Sequence, residues 1–208
     1  ALAWATVNGP APWVARFLDE SMHRGKNKDV HLVKGSHIVV PKMFDHEDSY
    51  LFQNDDGRVI FAIPYEQDFT LIGTTDVAYE GNPAEAQASA EEIQYLCDAL
   101  NRYFKKPITP EDVVWTYSGV RALYDESQEE NVSAVSRDYS LELDESAAPL
   151  LSVFGGKITT YRTLAREAVD RIAPLLGAPI TDWTGDKALP GGDIADGDFE
   201  RYLQQLRA

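Results

Sequence analysis

Residues 150–172 read "LLSVFGGKITTYRTLAREAVDRI", and the parsing of this stretch decides the fold. Residues 150–154 form a short apolar run broken only by Ser152, the length and composition of a buried strand. Gly155 and Gly156 punctuate it, and from 158 to 176 the apolar residues recur at helical spacing. A strand that stops just where a helix starts leaves backbone N–H groups unpaired and presents the positive end of the helix dipole. Glycines there let a ligand come close to the backbone, Lys157 adds a full positive charge, and Thr159 and Thr160 add hydroxyls in the first turn. Such a place suits an anion or a ring edge that gains negative charge. A tight strand-to-helix turn with a solvated lysine explains the same residues, and this stretch alone leaves the two readings even. A phosphate-binding P-loop is excluded: Leu151 stands where its first glycine belongs, and Ile158 where Ser or Thr must follow the lysine.

Working outward, the chain between residues 30 and 148 has a different texture. "VHLVKGSHIVVP" (30–41) reads as β-structure interrupted at Gly35. "SYLFQN" and "RVIFAIPYE" flank Asp55-Asp56-Gly57, a hairpin signal. "FTLIGTTDV" (69–77) and "VVWTYSGVRAL" (113–123) are further strands, "DESQEEN" (125–131) an acidic loop, and "YSLELD" (139–144) an alternating edge strand. Residues 89–104 read as one helix, with Ser89 as N-cap, Glu92 at capping-box spacing, and Ile93, Leu96, Leu100 and Phe104 on the apolar stripe. Upstream, residues 2–7 read as a short strand, and residues 12–23 as a helix with Pro12 in its first turn. Downstream, a Gly/Pro/Asp-rich segment leads to a last helix. The order implies a mixed α+β and α/β fold: an antiparallel sheet inserted into an α/β domain whose last strand and helix return at 149–176.

The bulk numbers narrow the partners. The 208 residues carry 34 acidic against 19 basic side chains, a formal charge of −15. Such a field repels polyanions, which argues against nucleic acid, and a small anionic ligand needs a local cationic cluster. The single cysteine, Cys97, permits no disulfide within the chain. No zinc, EF-hand or HExxH spacing occurs, so no metal is expected. No apolar run approaches the ~20 residues of a membrane-spanning helix. The first residue is not Met and the last helix stops abruptly, so the chain is expected to be a piece of a longer protein.

Three polar groups stand in apolar surroundings. Arg121 lies between Val120 and Ala122; a guanidinium in a strand is costly unless paired, so it is a fork for phosphate or carboxylate, one half of an ion pair, or simply exposed at a sheet edge. His37 follows Gly35-Ser36 in its strand, a place where histidines are more often structural than catalytic. Thr74-Thr75-Asp76, at a strand end, reads as turn and cap chemistry.

Taken together, "LVKGSHIVVPK", "FAIPYEQDFTLIGTTDV", "VVWTYSGVRAL" and "LLSVFGGKITTYRTLAREA" resemble the flavin-dependent, quinone-linked glycerol-3-phosphate dehydrogenases, in the family's order across most of residues 30–170. The resemblance implies a DAO-type flavoprotein: residues 1–29 as part of a Rossmann-like FAD-binding domain, 30–148 as a substrate-binding cap whose antiparallel sheet lies over the flavin, 149–178 as the returning FAD-domain strand and helix, and 179–208 as a linker and the start of a helical domain. It implies FAD as cofactor, held by Gly155, Gly156, Lys157, Thr159 and Thr160. Lys157 is expected to point toward substrate, Arg121 to meet its anionic end, and His37 to contact flavin or substrate, with the catalytic base left unassigned. The implied reaction oxidises sn-glycerol 3-phosphate to dihydroxyacetone phosphate and passes electrons to quinone. The implied setting is cytoplasmic, peripheral on the inner membrane, with a homodimer admitted. The alternatives are another DAO-type oxidase or, for a chain with no G-x-G-x-x-G loop, a colourless, non-catalytic binding or assembly module. One phrase departs from the family: where relatives read "VNAAGPWV" or "VNATGPWV", this chain reads "VNGPAPWV" (7–14).

Overall fold

The computed structural model describes residues 4–9, 11–23, 30–124 and 138–208. It divides into two units, 1–158 and 159–208. The acidic loop expected over 125–131 lies outside the described residues.

The first unit holds two sheets. In the smaller, β1 (Thr6–Asn8) pairs in parallel with β9 (Leu150–Gly155), which pairs antiparallel with β8 (Tyr139–Asp144). The opening stretch therefore is a strand, and a central one: Leu150 to Phe154 are all buried because β9 has a neighbour on each side. β8 takes the edge, as its alternation implies. After β1 the chain winds through a 3₁₀ turn (Ala11–Trp13) into α1 (Val14–Arg16) and a π turn (Phe17–Ser21).

The larger sheet has six strands and is antiparallel throughout. Its centre is β2 (Val30–Pro41). β7 (Trp115–Tyr124) lines one side of β2 from Val30 to Val39. On the other side β5 (Phe69–Gly73) pairs with the C-terminal half of β2 and β6 (Val77–Ala78) with its N-terminal half. β4 (Val59–Tyr65) and β3 (Tyr50–Gln53) complete the sheet as the expected hairpin, with Gly57 at φ +80° in the turn. β2 is not interrupted at Gly35, contrary to the sequence reading: Gly35 stays in register opposite Gly119, and its missing side chain serves what lies above it.

Alternation splits β2 between two faces. One face carries Ile38 and Val40, packed with Ile60, Ala62 and Ile72 against Leu96, Cys97 and Leu100 of α2 (Ala90–Asn101). This is the main core, and each such fully buried aliphatic side chain contributes roughly 1.5–3 kcal/mol. Ser89 caps α2 and Glu92 completes the capping box, as the spacing predicts. Burial pushes the Cys97 thiol up to about 11, so it sits in the core as an inert apolar group.

The second unit contains α3 (Tyr161–Ile172), preceded by a 3₁₀ turn (Ile158–Thr160) and followed by another (Ala173–Leu176). Gly177, at φ +64°, ends it, with Ala178 N–H donating to Ala173 O. Arg166 pairs with Asp182 at 2.9 Å, and Asp198 caps α4 (Phe199–Arg207). Among the described residues no helix is long and apolar enough to cross a membrane.

Candidate functional site

The face of the larger sheet opposite α2 is built differently. Register places His37 beside Gly73 on one neighbour and Tyr117 on the other, then Gly35 beside Gly119, then Val33 beside Arg121. His37 and Arg121 therefore share a face, separated by a rung made of two glycines. Phe61, Trp115 and Tyr117 on this face are partly exposed, where the α2 side is closed.

Each polar group here is placed by a missing side chain. A Cβ at Gly73 would stand 2.1 Å from the His37 ring, so the imidazole occupies the space that only glycine leaves. On its other side the ring stacks flat on Tyr117, centroids 4.6 Å apart and planes 2° apart. A Cβ at Gly35 would stand 2.7 Å from Arg121 Nη2 and 2.6 Å from Thr74 Oγ1, so the guanidinium lies across the bare backbone of β2. Among the described residues nothing lies within 4 Å of a Cβ at Gly119. The rung between the stacked His37–Tyr117 pair and Arg121 thus carries no side chain of its own.

Arg121 donates to Asp76 Oδ1 at 2.6 Å and to Thr74 Oγ1 at 3.3 Å. The two side chains of the ion pair are about a third exposed, at 33% and 35%, so the guanidinium is oriented but still faces solvent. The ion-pair alternative for Arg121 is therefore realised, without closing the residue off. Burial first, and the Arg121 charge second, hold the His37 imidazole below its ordinary 6.5. It is a neutral ring near pH 7, and its buried Nδ1 has no hydrogen-bond partner among the described residues.

At the strand end of the opening stretch, Gly155 and Gly156 both adopt positive φ, +71° and +97°, which a side chain would strain. Gly156 and Lys157 are exposed. β1 ends at the same edge of its sheet, with Asn8 opposite Ser152. Asn8 is buried; its Nδ2 donates to Val14 O at 3.1 Å, and its buried Oδ1 has no partner among the described residues. Gly9 beside it has open space where a Cβ would stand. β7 lies against β9, so Arg121 and the Gly155–Lys157 turn belong to neighbouring strands of one unit. Thr159 and Thr160 fall in the second unit.

Sequence reasoning passed over Thr74, Asp76, Tyr117, Gly73 and Gly119 as site residues. The run Thr74-Thr75-Asp76 carried a signal: three hydrogen-bonding side chains in a row at the end of an apolar strand exceed what one turn requires.

Comparison with known proteins gives this geometry a context. Residues 2–162 match the family model of the FAD dependent oxidoreductases (DAO). The chain is 49% identical to a D-erythritol 1-phosphate dehydrogenase of Brucella abortus, over 97% of this chain and 40% of the relative. It is 45% identical to an aerobic glycerol-3-phosphate dehydrogenase of Escherichia coli, over the same shares. Among solved structures, a glycerol-3-phosphate dehydrogenase from Bacillus halodurans complexed with FAD superposes with a TM-score of 0.80 at 32% identity, covering 97% of this chain and 38% of that one. The chain spans about 40% of the length of the curated relatives it matches.

Proposed function

The chain belongs to the FAD dependent oxidoreductase family, and from that premise we propose that it is part of a flavoenzyme that oxidises sn-glycerol 3-phosphate to dihydroxyacetone phosphate. The observation that carries the substrate class is Arg121. It is a guanidinium laid over a glycine on a partly exposed face, oriented by Asp76 and Thr74 yet open to solvent, in a chain whose overall charge repels anions. A fork of this kind recognises a phosphate monoester.

The residues present fit a flavin. The orphaned Asn8 Oδ1, the open space at Gly9 and the two positive-φ glycines ending β9 gather at the C-terminal edge of two parallel strands, where α/β sheets bind their ligands. Bound FAD supplies the acceptor for the hydride leaving C2. In the proposed arrangement Gly155 and Gly156 would let the ring approach the backbone, and Lys157 would face the substrate and favour negative charge there. Arg121 holds the phosphate, which sets the carbinol carbon at a fixed distance from its anchor. His37, neutral and stacked, presents an uncharged wall to the substrate.

A second reading has its own support. The relative acting, by its name, on D-erythritol 1-phosphate is at least as similar as the glycerol-3-phosphate dehydrogenases, and the open space at Gly119 beside Arg121 gives room for a longer polyol. Steady-state oxidation of both phosphates by the full-length flavoprotein, with a dye acceptor, decides. A kcat/KM favouring glycerol 3-phosphate supports the first reading; one favouring erythritol 1-phosphate replaces it; turnover of neither, in a yellow protein, overturns both. Quinone as electron acceptor, peripheral attachment to the cytoplasmic face of the inner membrane, and a homodimer complete the proposal. Quinone reduction by membrane fractions, membrane flotation and light scattering test them in turn.

A further inference from the structure

Arg121 takes its direction from Thr74 and Asp76, and those two residues belong to no strand: they lie in the link between β5 and β6. Something must hold that link, and the residue between them does so from the other side of the sheet. Thr75 is fully buried. Its Oγ1 accepts from Ser36 N–H at 2.9 Å and donates to Glu92 Oε1 at 2.8 Å. The same carboxylate oxygen accepts from Ser36 Oγ at 2.8 Å, and that hydroxyl lies 2.8 Å from Ser118 Oγ on β7. The other oxygen accepts from Lys34 Nζ and from Ser89 N–H, each at 2.8 Å. Ser36 follows Gly35, the glycine beneath the guanidinium, and Ser118 precedes Gly119, the glycine of the open space. Every segment that shapes the Arg121 site on one face is therefore tied to one buried carboxylate on the other.

We propose that Thr75, anchored on Glu92, is a positioning residue for Arg121: it sets the guanidinium through the thickness of the sheet by fixing Thr74 and Asp76. The inference rests on the reading of Arg121 as the phosphate anchor. Without the Thr75 hydroxyl, Thr74 and Asp76 lose their common support, and the guanidinium follows them. Phosphate then meets a fork set at the wrong angle, and binding suffers while the chemistry at the carbinol carbon, once substrate is bound, does not.

The test is a double-mutant cycle in the full-length FAD-loaded enzyme with glycerol 3-phosphate. Thr75→Val, which keeps the shape and removes the hydroxyl, is expected to raise KM roughly tenfold with kcat within about twofold, and Thr75→Ser to return KM to within about twofold of the parent. In an Arg121→Ala background Thr75→Val is expected to change KM by less than about twofold, because the group it acts through is gone. Should Thr75→Val not fold, Thr75→Cys, with a weak thiol donor in the same volume, carries the cycle. Equal KM factors in both backgrounds, or a lowered melting temperature with KM unchanged, overturn the inference while leaving the function reading intact. An Arg121→Ala enzyme with unchanged KM overturns both.

Discussion

Two ion pairs lie on opposite faces of the larger sheet. Lys34 and Glu92 meet at 2.8 Å with side chains 11% and 8% exposed; Arg121 and Asp76 meet at 2.6 Å with side chains about a third exposed. Their lengths are nearly equal, so distance does not separate them. Environment does. The first pair is locked between β2 and α2, where the Glu92 carboxylate also accepts from Ser36, Thr75 and the Ser89 N–H. The second is open to water and can be shared with an incoming anion. Burial makes one pair part of the scaffold and leaves the other able to act as a receptor.

The largest expected effect breaks the scaffold pair. Lys34→Met leaves the Glu92 charge buried without its cation and is expected to cost about 3–5 kcal/mol in urea unfolding, against about 0–1 kcal/mol for Asp76→Asn on the open face. Equal losses would abolish the distinction. Next comes binding: Arg121→Ala is expected to raise KM for glycerol 3-phosphate roughly tenfold to a hundredfold with stability within about 1 kcal/mol of the parent, the reverse of the Lys34 profile.

Acid sharpens the same contrast. Burial pushes the Glu92 carboxyl up, but hydrogen bonds from Lys34, the Ser89 N–H, Thr75 and Ser36 outweigh it and hold the group below its ordinary 4.5. Its contribution to stability is then complete above pH 4.5 and drains away as the pH falls through the lower folded value. Lys34→Met is expected to flatten that part of the stability–pH curve, and Asp76→Asn to leave it in place.

How far these contrasts were legible in the sequence differs by range. The Asp55-Asp56-Gly57 hairpin, the Ser89/Glu92 capping box and the strand-to-helix passage at Gly155-Gly156 were all readable, because each is made by residues within a few positions of one another. Glu92 was read only as a cap. Its bond to Lys34 joins segments far apart in the chain and appears only when α2 folds onto β2. Gly35 was read as a break because a glycine inside a strand pattern usually signals one; nothing local says that a guanidinium from β7 will lie over it. The residues around Arg121 leave its role open in the sequence, and the structure gives it an ion pair while leaving it about a third exposed.

A smaller effect concerns the phrase that departs from the family. Ala11 in that phrase adopts φ +40°, a region costing an L-residue roughly 1–2 kcal/mol. Ala11→Gly is expected to relieve that strain, less about 0.4–1 kcal/mol of added freedom in the unfolded chain, for a net gain of about 0.5–1 kcal/mol in thermal unfolding. The smallest effect is a titration. The His37 imidazole is expected to titrate below 6.5 by NMR, and Arg121→Ala to move the midpoint upward without reaching 6.5, since burial, the larger cause, remains. A midpoint indifferent to Arg121 would mean the two groups do not share a field.

Gly35 and Gly73 have a consequence for anyone surveying this protein by saturation mutagenesis. Neither carries a reactive group, yet a single methyl group at either collides with a guanidinium or an imidazole. Both positions should therefore score as intolerant as a reactive residue, and a map of activity loss would draw the boundary of the site around two atoms that are not there.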